Sequence, residues 1–288
     1  MHPIERLRYV ARAGDADPGL LAQEAADALG TLGGDARALV PACRRLLEFH
    51  PSCAPLWWVC ARLLVASDLR QAADLAAQLL YDDPTADEVA AHLPAGAVVV
   101  TDCGSIAVAG LSQRPDLSIR LVASASALRY GMRRIDGDVT GYDPVECDDA
   151  CASSTIVLVE PTAAGPQGVV LDETGAALVD SAVRSSVAVW AVVGEGRLLP
   201  LSLLDALTRA VGLGASNPPD DEQEFDPLPR AGRYGKAPRP ASGSHCTIPA
   251  ASIGAVVGPT GAARTTVALG RATCPSPTEL LEPSRGVR

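Results

Sequence analysis

The sequence predicts an α/β protein in which a helical N-terminal domain, residues 1–93, precedes a domain with a mostly parallel sheet, residues 94–288. Two observations support this prediction. In the first domain, apolar residues repeat with the spacing of amphipathic helices. After Pro94, short runs rich in Val, Ile and Leu alternate with helical segments. Such runs are typical of parallel strands that are buried on both faces.

The N-terminal helices are predicted from apolar stripes and from capping residues at their starts. Asp35 can cap a helix over ARALVPACRRLLEF, and HPSCAPLWWVCARLLVAS repeats its apolar pattern. Asp68 opens a third helix, DLRQAADLAAQLLYDD, which Pro84 ends. Thr85 and Glu88 have the spacing of a capping box in the next helix.

The second domain is expected to contain four early strands, over residues 97–100, 118–123, 155–160 and 187–193, with helices between them. Segment 215–247 is dense in proline, glycine and charge and is predicted to be a flexible insertion. Residues 248–261 return to strand-like content, and 275–288 form a tail.

Composition and charge exclude several classes of function. The chain of 288 residues has a net charge of −10 and no basic stripe, which argues against nucleic-acid binding. No apolar run reaches the roughly 18 residues of a membrane span. The start, MHPIERLRYV, has no apolar signal segment, so we expect a cytoplasmic protein. Cys147 and Cys151 have no second pair or nearby histidine, so no metal or other cofactor is predicted.

The turn TDCGSI, residues 101–106, is the first candidate site because it follows a predicted strand. Ligands of parallel sheets bind at the carboxyl ends of the strands. Gly104 permits close backbone approach, and the helix that begins at Ser105 offers free N–H groups. The helix dipole would lower the pKa of the Cys103 thiol, whereas Asp102 would oppose that effect. The alternative is a plain strand-to-helix turn with a half-buried cysteine.

Glu160 is the second candidate because it stands at the end of another predicted strand. Glu160 and Thr162 would point to the same side if the strand continues. A carboxylate there that faces the Cys103 thiol could perform acid–base chemistry. The alternative is an ordinary acidic residue in a surface loop.

Five stretches, taken in order, resemble one known family. HPSCAPLWW resembles the family's helical RPTxxxLxW segment, and VVVTDCGS resembles its strand ending ILTHCN or ILTHxxS. VEPTAAGPQGVVLDETGAAL runs without a gap along GADxIxxNGxxxNKIGTxxL, and VAVWAVVGEGRLLP resembles PFYVxxxxxKxxP. IPAASIGAVVGPTG resembles VPxxxIDxIITExG. The family unites the regulatory (alpha, beta, delta) subunits of translation initiation factor 2B with methylthioribose-1-phosphate and ribose-1,5-bisphosphate isomerases.

This resemblance implies a helical N-terminal domain, a Rossmann-like second domain and a homodimer formed mainly through the latter. It places Cys103 on the cysteine of the isomerases, which works with an aspartate on a ring-opened sugar phosphate. The aspartate position is occupied by Thr162, and the asparagine and lysine positions by Asp172 and Glu173. The family's arginine falls near Ser126, with Arg129 and Gly131 close by. The candidate ligand is a small phosphorylated molecule, and the residues expected to bind it are Gly104, Ser105, Arg129, Gly131, Thr162, Gly168 and Asp172.

The departures from the family pattern favour a non-catalytic protein. Glu173 in place of lysine changes the local charge by two units, and two charges about 6 Å apart interact by roughly 3 kcal/mol. A phosphate at this loop would therefore be repelled.

Three hypotheses stay open. The first, which we favour, is a dimeric ligand-binding or regulatory protein on an isomerase scaffold. The second is an active aldose–ketose isomerase in which Cys103 works with Glu160, and the third is a scaffold with a closed pocket.

Overall fold

The computed structural model describes residues 17–32, 36–212 and 245–281. The N-terminal part is helical, as predicted, with α1 over Pro18–Gly30, α2 over Ala36–Phe49, α3 over Ala54–Leu64, α4 over Leu69–Tyr81 and α5 over Thr85–His92. Asp68 caps α4, since its carboxylate accepts a hydrogen bond from the Gln71 amide at 3.0 Å. The N-cap of α5 is Pro84, which has no side-chain cap, so Thr85 and Glu88 do not form the predicted capping box; Asp83, one residue earlier, accepts from the Thr85 amide at 3.0 Å. The predicted cap Asp35 lies outside the described residues.

A seven-stranded sheet forms the centre of the second part, in the order β10-β9-β7-β4-β1-β2-β3. All neighbouring strands are parallel except β9 and β10. The predicted fold class is therefore confirmed. The strands are β1 Val98–Thr101, β2 Ser118–Val122, β3 Asp138–Tyr142, β4 Ile156–Val159, β7 Ala188–Val192, β9 Ala255–Gly258 and β10 Gly261–Arg264.

Helices cover both faces of this sheet, as the unbroken apolar content of its central strands requires. The helices are α6 Ser105–Leu111, α7 Ala125–Arg134, α8 Cys147–Cys151, α9 Glu173–Arg184, α10 Leu201–Ala210, α11 Thr265–Leu269 and α12 Thr278–Leu281. On one face, α6 packs against both α5 and α7, and on the other α8 and α9 pack against β1, β2 and β4. Short 3-10 helices span Pro144–Glu146 and Ala250–Ser252.

A small antiparallel sheet, in the order β5-β6-β8, is a feature that the sequence pattern did not predict. Its strands are β5 Ala163–Gly165, β6 Gly168–Asp172 and β8 His245–Pro249. Strand β8 begins at His245, so residues 245–247 of the predicted insertion 215–247 belong to a strand. Residues 213–244 lie outside the described part of the chain.

One apolar core joins the N-terminal helices to elements of the second part. Leu203 and Leu207 of α10 are fully buried in the same cluster as Trp58 of α3. Cys274 and Leu280, which lie at and beyond the start of the predicted tail, are buried there as well. None of the helices in the described ranges is long and apolar enough to cross a membrane.

Candidate functional site

The turns after β1 and β4 lie side by side, because these two strands are neighbours at the centre of the sheet. The strand order reverses between them, and this is the position at which open α/β sheets bind ligands. Gly104 touches Glu160 so closely that a side chain at position 104 would collide with the Glu160 Cβ and carboxyl atoms. The structure thus brings the two candidate turns together; that they form a functional site stays a prediction.

The Glu160 carboxylate is held at the start of α6. Its Oε2 accepts hydrogen bonds from the backbone N–H groups of Ile106 and Ala107, at 2.8 and 3.0 Å. The Glu160 side chain is only 5% exposed. This carboxylate therefore occupies the amide groups that the sequence analysis assigned to a ligand.

Arg197 completes this arrangement from the loop after β7. Its Nη2 donates to Glu160 Oε1 at 2.6 Å, and its Nη1 donates to the Pro161 carbonyl oxygen at 2.8 Å. The Arg197 side chain is 8% exposed, so both charges of the ion pair are buried. Arg197 was not among the predicted site residues, although it stands at the lysine position of the PFYVxxxxxKxxP pattern and could have been found there.

Asp102 is a second residue whose importance was missed. Its carboxylate accepts from the backbone N–H of Glu160 at 3.2 Å and from that of Gly104 at 3.4 Å. Burial, followed by the nearby charges of Asp172 and Glu160, raises the pKa of Asp102 to about 7. Such a shift is common at functional sites. In the sequence, Asp102 could have been singled out because it directly precedes Cys103.

Cys103 occupies a constrained position between β1 and α6. Its φ angle of 64° lies in the left-handed region, which non-glycine residues seldom adopt. Gly131 of α7 faces it, since a Cβ at position 131 would lie 3.3 Å from the Cys103 Sγ. Burial and the Asp102 charge raise the pKa of the Cys103 thiol to about 12. The thiolate is therefore scarce near neutral pH, contrary to what the helix dipole alone would produce.

Ser105 and Arg129, two of the predicted ligand-binding residues, lie on α6 and α7 and differ in their surroundings. The Ser105 hydroxyl donates to Asp17 Oδ2 at 2.7 Å, which links α6 to the start of α1. Arg129 is exposed on α7. That these residues bind a ligand stays a prediction.

The remaining predicted residues, which lie between β4 and α9, make contacts with the neighbouring backbone. The Thr162 amide donates to the Val170 carbonyl oxygen at 2.9 Å within the small sheet. Gly168 has a φ of 152° and packs against the Ile248 backbone. Asp172 caps α9 by accepting from the Gly175 amide at 2.8 Å. Their binding role likewise stays a prediction.

A cavity of about 260 Å³ lies between the N-terminal helices and the start of α6. Its charged lining consists of Asp17, Asp83, Glu195 and Arg197. Neither Cys103 nor Glu160 belongs to the lining, although Arg197 connects it to Glu160. Within the described ranges, no cluster of three His, Cys, Asp or Glu side chains suits a metal ion.

Comparison with known proteins adds information on the fold. No protein-family model and no curated protein sequence matches the chain. Among solved structures, it is similar to translation initiation factor eIF-2B from Pyrococcus horikoshii OT3, with a TM-score of 0.68 and 13% identity over 93% of this chain and 98% of that one. The tetrameric eIF2B-beta2-delta2 complex from C. thermophilum matches with a TM-score of 0.66 and 14% identity, over 93% and 92% of the two chains.

An isomerase has the same architecture. The 5-methylthioribose 1-phosphate isomerase from Pyrococcus horikoshii OT3 matches with a TM-score of 0.53 and 13% identity, over 90% of this chain and 83% of that one. The chain therefore has the fold that these initiation-factor subunits share with the isomerase. The resemblance drawn from the five sequence motifs is confirmed at the level of this fold.

Proposed function

We propose that this protein is a non-catalytic, dimeric ligand-binding or regulatory protein on a sugar-phosphate isomerase scaffold. The observation that supports the proposal is the buried ion pair of Glu160 and Arg197. An acid–base catalyst must be free to bind and release a proton at the substrate. Glu160 is instead fixed by a guanidinium group and two backbone amides.

The state of Cys103 supports the same proposal. A thiol acts as a nucleophile only as the thiolate, and the surroundings of Cys103 disfavour that form. The family's catalytic aspartate position holds Thr162, whose hydroxyl cannot replace a carboxylate in acid–base chemistry.

The charge of the cavity bears on the class of ligand. Asp17, Asp83 and Glu195 contribute negative charge, and among the described residues of the lining the positive side chain is Arg197, which is already paired with Glu160. This balance opposes a phosphorylated ligand in the cavity. If the pocket is used, a neutral or cationic small molecule fits its charge better.

The test is a turnover assay with ribose 1,5-bisphosphate and 5-methylthioribose 1-phosphate. NMR detects the conversion of each compound, and a known isomerase is the positive control. We expect no conversion above the uncatalysed background. Thermal-shift measurements with the same compounds should give no stabilisation, whereas a ligand at 100 times its dissociation constant would add about 2.7 kcal/mol. Conversion that disappears in Cys103→Ser would overturn the proposal.

An active isomerase is the second candidate, and Asp102 is the observation that favours it. A carboxyl group with a pKa of about 7 next to Cys103 could accept and return a proton near neutral pH. In that case Asp102, not Glu160, would be the partner of Cys103. Turnover lost in both Cys103→Ser and Asp102→Asn would support this candidate.

A further inference from the structure

We propose that a second copy of this chain docks along the outer edge of β3, so that the two seven-stranded sheets continue into each other. The inference rests on the dimer that is part of the proposed function and assigns a surface to it. Within the described ranges, β3 is the last strand of its sheet and pairs only with β2. An unpaired strand edge is a template for a further strand.

The hydrogen bonds of β3 show which of its backbone groups are available. The Ala123 amide donates to the Tyr142 carbonyl oxygen at 3.3 Å, and Tyr142 stands opposite Val122 in the parallel register. In a parallel pair, alternate residues direct both their N–H and C=O groups towards the neighbouring strand. Val139 and Gly141 therefore direct theirs away from β2, to the outer edge.

These outward groups are self-complementary. Two β3 strands can pair antiparallel with Thr140 at the centre of the pairing. Val139 of each copy then stands opposite Gly141 of the other copy. Each such pair exchanges both of its N–H···O bonds. Thr140 then faces its own counterpart, and Asp138 faces Tyr142, so no two like charges stand directly opposite. An antiparallel pairing of two identical strands is what a twofold axis generates, and this register leaves both outward-facing residues paired.

Charged residues flank both ends of the edge. Arg133 and Arg134 end α7 and Asp136 follows them before β3 begins, whereas Asp143 and Glu146 follow directly after β3 ends. An antiparallel arrangement brings the arginines of one copy to the acidic end of the other, and Asp136 offsets one of the two arginine charges. Asp138 lies at the arginine end too, but it alternates to the opposite face from Val139 and accepts from the Ser118 hydroxyl at 2.7 Å.

An apolar group adjoins the same edge. Met132 of α7 is 48% exposed and lies over Gly141, where a Cβ would be 3.7 Å from its sulfur atom. At the opposite edge of the sheet, α5 packs over one face of β10, where a Cβ at Gly261 would lie 3.5 Å from the polar side chains of Glu88 and His92. The exposed apolar side chain of Met132 beside the free edge makes β3 the candidate for docking.

The first experiment places a charge on the proposed twofold axis. Thr140→Asp sets two carboxylates opposite each other in the dimer, while position 140 is exposed in the single chain. We expect the dissociation constant of the dimer to rise roughly tenfold or more, measured by analytical ultracentrifugation. The matched control is Thr266→Asp, an exposed threonine of α11 near the opposite edge, which should leave the dimer unchanged. Circular dichroism checks that both variants fold.

The second experiment is a crosslink. Thr140→Cys would place two thiols on non-hydrogen-bonded antiparallel positions, where Cα atoms about 4.5 Å apart permit a disulfide. Diamide oxidises the thiols by taking up their two electrons and two protons. We expect a covalent dimer on a non-reducing gel for Thr140→Cys, but not for Thr266→Cys or the unchanged protein.

The outcomes separate this inference from the proposed function. A wild-type protein that is monomeric at micromolar concentration would overturn both the dimer and its assignment to β3. A wild-type dimer that persists in Thr140→Asp, with no crosslink in Thr140→Cys, would overturn the β3 assignment alone. Neither result bears on turnover, which the isomerase assay measures separately.

Discussion

Glu160 and Arg197 form a buried ion pair whose free energy can be argued at the residue scale. Burial of two charges costs free energy, and their attraction repays it only if every hydrogen-bonding group is satisfied. Here the carboxylate has three donors, and the guanidinium group has a carboxylate and a backbone carbonyl as acceptors. Removal of one partner leaves the other charge buried without compensation.

Arg197→Gln should therefore lower the free energy of unfolding by about 3–5 kcal/mol, measured by urea denaturation. The control is Arg184→Gln, which breaks an exposed ion pair with Asp148 and should change the midpoint little. An equally small effect of both substitutions would contradict the view that the Glu160–Arg197 pair is essential to the packing of the site.

Asp102 gives a prediction for pH dependence. Its pKa rises from an ordinary 3.8 to about 7 in the folded protein, so the folded state holds this proton more tightly than the unfolded state. Asp102 therefore contributes stability below about pH 4, and that contribution is lost as the pH rises to about 7. A shift of this size corresponds to a few kcal/mol at most.

Asp102→Asn removes the titrating group and should flatten this dependence. As the pH rises from 4 to 8, the wild-type protein should lose stability that the variant keeps. The unfolding free energy of the variant minus that of the wild-type protein should therefore increase over this range, whatever its value at pH 4. Chemical denaturation at several pH values measures the slope. Parallel curves for the two proteins would show that Asp102 titrates normally.

The small sheet provides the prediction at the element scale. Gly168 connects β5 to β6 with a positive φ, and a side chain there would collide with the Ile248 carbonyl of β8. Gly168→Ala should destabilise the protein by more than 2 kcal/mol, because backbone strain and the collision add up. Gly96→Ala is the control, since Gly96 also has a positive φ, of 64°, but open space around it.

The control isolates the steric contribution. Gly96→Ala should cost only the backbone strain, about 1 kcal/mol. Equal losses in the two variants, measured as shifts of the urea midpoint, would show that β8 moves away from β6 without cost.

The elements that the sequence predicted correctly share strong local signals. β1 and β4 are runs of apolar β-branched and aliphatic residues, and their adjacent positions at the centre of the sheet bring the turn at Gly104 against Glu160. β3, DVTGY, was missed because an edge strand need not be apolar. β5 and β6 were missed because Gly165 and Pro166 look like a loop, and the pairing of β6 with β8 is distant in sequence.

The site could be located from the sequence, but its internal bonding could not. The end of β1 and the end of β4 follow from pattern and topology. Arg197 reaches Glu160 from a loop 37 positions further along the chain, and no local pattern specifies that contact. The pKa of Asp102 depends on burial and on Asp172, both of which arise only when the chain is folded.

At the scale of the whole molecule, the question is whether the predicted division at residue 93 separates two folding units. A shared core bears on this question, because Leu203, Leu204 and Leu207 of α10 are buried among residues of α1 to α4. Conversely, Val89 of α5 packs with the sheet residues Val99 and Ile119. We therefore expect the two parts to unfold together.

The Trp190→Phe variant tests this cooperation, since the remaining tryptophans, Trp57 and Trp58, both lie in α3. Their fluorescence follows the N-terminal helices, whereas far-UV circular dichroism follows the whole chain. In urea, both signals should give the same midpoint.

Adding Leu203→Ala should lower both midpoints together, by about 2–5 kcal/mol in unfolding free energy, because the substitution opens a cavity in the shared core. Leu201→Ala, at an exposed position of α10, is the control with little expected effect. A midpoint that shifts in fluorescence but not in circular dichroism would mean that the helical part unfolds on its own, and that the predicted boundary at residue 93 is a real domain boundary.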